Sequence, residues 1–407
     1  MWSDLAAAAA AAAAAAIRDA GVCDGPDATL NGILASVGLA DHHVHGHVTT
    51  PVDEAGLRDM LIESDRRSAA DAAGSDTQVW HAIRRWCAPL LGLPAHAPAA
   101  DYVAARLALG SQGTAERLLP LAGFSWLGID TGFRGTQIAS PAATGDAAGG
   151  VPANRIVRLE AVAELLVAEI ADPWSWPDAF RAALAAERAG DDPAVGWKSI
   201  LAYRGGFDRD LSRPADEAVA AAAARWAGTV RAGTAPRLED PVLLRAGIWA
   251  AVDTGLPVQF HTGFGDPDLD LHRSDPLLLT DLIRGSEGRA PIVLLHTYPF
   301  QRGAGYLAQM FPHVYLDVGE AVNYTGAASE HVVRESMELA PFTKILFSSD
   351  AWGAPELHLL GSWLFRRAMS RVLGAWVRDG DWSLADAERV VALVANENVR
   401  RVYATAG

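Results

Sequence analysis

Asp41-His42-His43-Val44-His45 follows the apolar segment Ile33-Leu34-Ala35-Ser36-Val37-Gly38-Leu39-Ala40, and the reading of that stretch decides the fold. A short apolar run that ends on polar residues reads as a buried strand. Side chains alternate across a strand, so His43 and His45 point the same way with one residue between them. Two imidazoles side by side at a strand end suit zinc or a similar borderline ion, which takes nitrogen ligands and can keep one position open for water.

Three more apolar runs end in the same manner. Pro257-Val258-Gln259-Phe260 runs into His261, Pro291-Ile292-Val293-Leu294-Leu295 into His296, and Lys344-Ile345-Leu346-Phe347-Ser348-Ser349 into Asp350. Helical patterns lie between several of them. Strand-helix alternation builds a parallel sheet whose strand C-termini share one face. In a (β/α)8 TIM barrel that face carries the active site. Segments 124–132, 155–160, 196–204 and 314–319 read as strands two, three, four and seven, which brings the count to eight.

Residues 52–118 show no strand pattern. Leu57, Met60 and Leu61, then Trp80, Ile83, Arg84 and Trp86, fall at helical spacings, which predicts an inserted helical subdomain after strand one. The chain then divides into 1–51 (N-terminal helices and strand one), 52–118 (the insertion) and 119–407 (the rest of the barrel with terminal helices). The insertion is expected over the strand ends, where it forms part of the substrate pocket or a dimer interface, with Trp80 and Trp86 as its own core. Residues 135–152, rich in Gly, Ala and Pro, read as a loop.

Composition narrows the classes. The 407 residues are half hydrophobic, enough for a large buried core. The formal charge is −15, and no Lys or Arg block stands out, so neither nucleic acid nor an anionic membrane is an expected partner. Two cysteines, Cys23 and Cys87, are too few for a disulfide scaffold and fit a reducing compartment. The alanine run at 6–16 reads as a helix, with Ser3 or Asp4 as cap and Gly21 as stop, because alanine has the highest helix propensity. Asp4 and the lack of a strongly apolar centre argue against a signal peptide. No segment is long and apolar enough to span a membrane. The expectation is a cytoplasmic homo-oligomer acting on a small molecule.

With Asp-x-His-x-His on strand one, His on strands five and six and Asp on strand eight, the chain resembles the amidohydrolase superfamily. His261-Thr262-Gly263-Phe264, His296-Thr297-Tyr298-Pro299-Phe300, Gly305-Tyr306-Leu307-Ala308 and Ser348-Ser349-Asp350-Ala351 look like the amidohydrolase-related branch, a domain that occurs alone or fused to glutamine synthetase. The resemblance covers roughly residues 36–370. It implies a metal-dependent amidohydrolase holding one or two ions of Zn²⁺ or Mn²⁺. His43, His45, His261 and Asp350 match its metal ligands, and Asp350 also matches its proton acceptor. His296 matches a residue that binds a second metal or polarises the substrate. Lys198 matches the strand-four lysine that is carboxylated and bridges two ions in some members; a single-ion site at His43, His45, His261 and Asp350 is the preferred form.

The implied reaction is hydrolysis of an amide or γ-glutamyl-type C–N bond by a metal-activated water, with Asp350 as general base and then acid. Tyr203, Arg204 and Arg302 lie beyond strand ends, where a guanidinium could clamp a substrate carboxylate. Glu160 and Asp130 also end strands and are expected to bind a substrate amine or to orient a ligand histidine. A non-oxidative decarboxylase or an isomerase of the same superfamily is the alternative. A non-catalytic metal-binding domain is disfavoured by the full ligand set.

Overall fold

The structure, a computed structural model, describes residues 2–64 and 75–403. Eight strands, β1 Leu39–Val44, β2 Phe124–Asp130, β3 Ala153–Arg158, β4 Ala194–Ser199, β5 Val258–Thr262, β6 Ile292–His296, β7 Val314–Asp317 and β8 Ile345–Leu346, form one sheet in sequential order. Every ladder between neighbours is parallel. Backbone hydrogen bonds close the ring between β1 and the segment after β8: His42 N–H to Phe347 O at 3.2 Å, Asp350 N–H to His43 O at 3.1 Å, and His45 N–H to Ala351 O at 2.9 Å. The architecture is the expected (β/α)8 barrel, and its closing seam brings Asp350 beside the His43-Val44-His45 motif.

Two faces of the sheet carry two cores. Ala40, Trp126, Ile156, Val293, Leu295 and Leu346 pack inside the barrel against Val399, Val402 and Tyr403, so the C-terminal helix plugs its lower end. A larger core fills the space between strands and helices. Each fully buried Leu, Ile or Phe there contributes about 1.5–3 kcal/mol of transfer free energy. The N-terminal helix Trp2–Asp19 covers the bottom, burying Ala13, Ala14 and Ile17, and the chain turns at Gly21 with a left-handed φ of 67°.

The first strand begins later than its apolar run suggests. Residues 33–36 end a helix, Ala28–Ser36, whose N-cap Asp27 accepts the Leu30 N–H at 2.8 Å and whose Leu30 and Leu34 are buried one turn apart. That spacing is helical. Gly38 then lets the chain pass Ser125, whose Cβ would lie 2.7 Å from any added Cβ, so β1 contains Asp41, His42 and His43 rather than preceding them. Three more elements differ from the sequence reading. Residues Pro141–Ala147 are helical, capped by Ser140. Glu160 opens the helix Leu159–Glu169, and Tyr203 and Arg204 lie in a 3₁₀ turn past β4. Between β1 and β2 the helices are Glu54–Met60, Gln78–Trp86 and Ala99–Leu118; residues 65–74 of the expected insertion lie outside the described residues. Trp80 and Trp86 are buried among these helices and against Trp363, as expected of core residues.

Candidate metal centre

The strand-end histidines are oriented from behind. His43 Nδ1 lies 2.8 Å from Gln259 Oε1, and the Gln259 amide nitrogen in turn donates to His42 O and to Tyr403 Oη. His45 Nδ1 lies 2.7 Å from the Asp130 carbonyl. Both partners are acceptors, so each ring carries its proton on Nδ1 and presents the bare Nε2 to the cavity. Back-side acceptors of this kind fix the ligand tautomer in metal sites. His261 is turned the other way: Nε2 donates to Phe264 O at 2.8 Å and contacts Tyr203 Oη at 3.1 Å, which leaves Nδ1 bare.

Asp350 stands among these rings. Its Oδ1 is 3.0 Å from His43 Nε2 and 3.6 Å from His45 Nε2, and its Oδ2 is 3.4 Å from His296 Nε2. Burial alone would raise its pKa; the imidazoles of His296, His43 and His45 outweigh that and hold the carboxyl well below its usual range. Burial, with Lys198 nearby, lowers His43 to about 3, and burial also lowers His261 and His296. At neutral pH these three rings are uncharged, the state that binds metal.

Three sets of side chains have ligand atoms within 4.8 Å of one another: His43, His296 and Asp350; His43, His45 and Asp130; and His261, His296 and Glu320. Both His296 nitrogens and Asp350 Oδ1 are buried without a hydrogen-bond partner. Orphaned buried polar atoms that converge are costly unless something fills the space between them. The donor set, imidazole with carboxylate, fits zinc or manganese. The sequence expectation groups His261 with His43, His45 and Asp350; its ligand nitrogen clusters with His296 and Glu320, and His296 in turn clusters with His43 and Asp350.

The backbone is strained where these groups sit. His296, Thr297, Glu320 and Asp350 have φ of 67°, 61°, 48° and 50°, a left-handed region that costs a non-glycine residue about 1–3 kcal/mol. Such strain clusters at functional sites.

Lys198 Nζ is buried 3.1 Å from His43 Nε2, and burial lowers its pKa. A cavity of about 910 Å³ opens above, lined by His45, Arg158, Lys198, Tyr203, His261 and Asp350 among others. Arg204 also lines it, with Glu164 at 3.5 Å. Arg302 does not: it is exposed near the start of the helix Gln301–Met310, between buried Gln301 and Ala304, and is paired with Glu338 at 2.7 Å. Glu160 is likewise committed elsewhere, accepting from Ser199 Oγ at 2.8 Å and Ile200 N at 3.0 Å, which ties the end of β3 to the end of β4. Asp130 orients His45 through its carbonyl, while its carboxylate takes Arg158 Nη2 at 2.6 Å and the Gly132 N–H at 2.7 Å.

The sequence reading passed over Arg158, Glu320 and Glu63. Arg158 ends β3 as His296 ends β6, and Glu320 follows β7 closely, so the strand-end signal used for the histidines would have found both. Glu63 lies among the helices after β1 with no pattern to mark it. Its carboxyl contacts Glu320 and Tyr324, and burial pushes its pKa up to about 8.

Known proteins resemble the chain. The Amidohydrolase family model matches residues 182–405, just over half of the chain. Protein fluG of Emericella nidulans is 33% identical over 280 residues, which is 61% of this chain and 32% of fluG, so the chain spans about a third of that curated relative. A solved protein of Lactobacillus casei ATCC 334, described as a metal-dependent hydrolase, aligns with a TM-score of 0.77 at 29% identity over 90% of this chain and 95% of its own. An uronate isomerase of Bacillus halodurans C-125 aligns with a TM-score of 0.61 at 13% identity over 92% of this chain and 95% of its own, a likeness of fold alone. The chain belongs to the amidohydrolase superfamily and is a (β/α)8-barrel enzyme of it.

Proposed function

We propose that the protein hydrolyses a C–N bond, of amide or γ-glutamyl type, in a small carboxylate-bearing substrate. The observation that carries this reading is Asp350: one carboxylate within 3.6 Å of three imidazole Nε2 atoms, at the floor of an open cavity. His43, His45 and Asp350 would hold one zinc or manganese ion, with His261 Nδ1 and His296 facing them. When bound, the ion would act as a Lewis acid and lower the pKa of water toward neutrality. Asp350, held ionised, would accept the proton of the attacking water and return it to the leaving nitrogen. His296, neutral and unpartnered, can donate to the substrate carbonyl oxygen as charge develops on it. Arg158 and Arg204 supply guanidinium groups for a carboxylate at the cavity wall.

We favour the single-ion form, in which the ion would take the His43 Nε2 lone pair that Lys198 Nζ faces at 3.1 Å. Among the described residues no helix is long and apolar enough to cross a membrane. This fits a cytoplasmic enzyme, which we infer assembles as a homo-oligomer. Incubating the metal-loaded protein with a panel of small carboxylated amides and measuring released amine or ammonia tests the reaction. Chelator-sensitive amine release supports it; CO2 release or carbonyl isomerisation without amine would replace it with the decarboxylase or isomerase reading.

A further inference from the structure

The cavity mouth is divided by charge. Arg134 after β2, Arg158 at the end of β3, Lys198 and Arg204 at and beyond β4, and Arg237 before β5 line one half. Asp266 beyond β5, Asp350 beyond β8 and Glu63 from the segment after β1 line the other, with Glu320, just past β7, behind Glu63. The reacting centre lies between the two halves.

Glu320 is 2% exposed, and its carboxyl is hydrogen-bonded to that of Glu63. It is held there by a backbone at φ 48°, against its intrinsic preference. Tyr324 Oη lies 3.4 Å from Glu63 Oε2. Two carboxyls in contact in a desolvated place share a proton, and a cation arriving between them can take that proton's place. On the basic half, Arg158 spends Nε and Nη2 on Asp130 Oδ2, at 3.2 and 2.6 Å, a pairing that fixes the guanidinium plane at the cavity wall.

We infer that the substrate is a zwitterion, its ammonium group received by Glu63 and Glu320 and its carboxylate by Arg158, with the scissile amide spanning the two. This rests on the C–N hydrolase reading and names the substrate class of the same site. An ammonium group satisfies both carboxylates at once through charge-assisted hydrogen bonds, and the arginine half rejects the inverted orientation by like-charge repulsion.

The test uses the metal-loaded protein and three matched forms of dipeptides and γ-glutamyl amides: unmodified, N-acetylated, and amidated at the carboxylate. Binding is read by calorimetry and hydrolysis by amine release. Acetylation should weaken binding and raise KM by about tenfold or more, the scale of one lost charge-assisted hydrogen bond. Glu63→Gln should weaken binding of the unmodified form by a similar factor and leave the acetylated form nearly unchanged, with metal content unaltered. Equal or tighter binding of the acetylated forms, or no binding of any zwitterion in the panel, would overturn the inference. So would loss of a metal equivalent in Glu63→Gln or Glu320→Gln, which would make this wall a second cation site. If the zwitterions bind selectively but release no amine, the inference stands and the hydrolase reading fails.

Discussion

Gln259 Oε1 accepts the Nδ1 proton of His43 at 2.8 Å, and the same amide donates to Tyr403 Oη at 2.8 Å, linking a candidate metal ligand to the residue that plugs the bottom of the barrel. Gln259→Leu removes the acceptor that fixes the His43 tautomer while keeping side-chain bulk. Metal affinity, measured by competition with a chromogenic chelator, should fall by about 10–100-fold. Unchanged affinity would show that His43 is oriented by packing alone.

Asp350→Asn is nearly isosteric, so the fold should persist by circular dichroism. If Asp350 moves the proton, kcat should fall by about 10² or more. Turnover near that of the unmodified protein would assign the proton transfer to another group.

Arg158→Ala should raise KM for a carboxylate-bearing substrate by about tenfold or more over its neutral analogue, the scale of one lost charge-assisted pair. Arg302→Ala should change neither, because Arg302 is exposed and engaged with Glu338. An equal KM effect on charged and neutral substrates in Arg158→Ala would make that residue a support for Asp130 alone.

Stability of the metal-free protein should fall on acidification below about pH 6.5. Burial lowers His47 from 6.5 to about 4 and also lowers His358, so the unfolded chain binds these protons first. With more protons on the unfolded state, unfolding free energy rises with pH, by up to about 1.4 kcal/mol per unit for each such group. The loss should run from pH 6.5 down to about 4 for His47, read as a falling urea midpoint. A midpoint flat across that window would show that these rings do not stay neutral in the fold.

The barrel was legible because each strand end is marked by a change of residue type: Phe260 to His261, Leu295 to His296, Ser349 to Asp350. Tyr203 and Asp130 were found by the same mark and Lys198 through the family resemblance, and all three adjoin the ligand histidines in the fold. The start of β1 was not legible, since Ile33-Leu34-Ala35 is equally apolar in a helix, and only the Asp27 cap and the Leu30–Leu34 spacing decide it. Arg302 misled because adjacency to a strand end says nothing about which side of the next helix a residue occupies. Glu63 reaches the site from far along the chain through tertiary packing, which no local pattern records.

Elemental analysis of the purified protein, before and after chelation and with activity followed in parallel, tests the central claim most directly. The account predicts about one equivalent of zinc or manganese per chain, lost together with activity on chelation and restored with it, and no carbamate signal from Lys198 in ¹³C NMR of the intact protein prepared with ¹³C-bicarbonate. Well under one equivalent with activity indifferent to chelators would contradict the metal centre itself, and two equivalents with a carbamate on Lys198 would contradict its single-ion form.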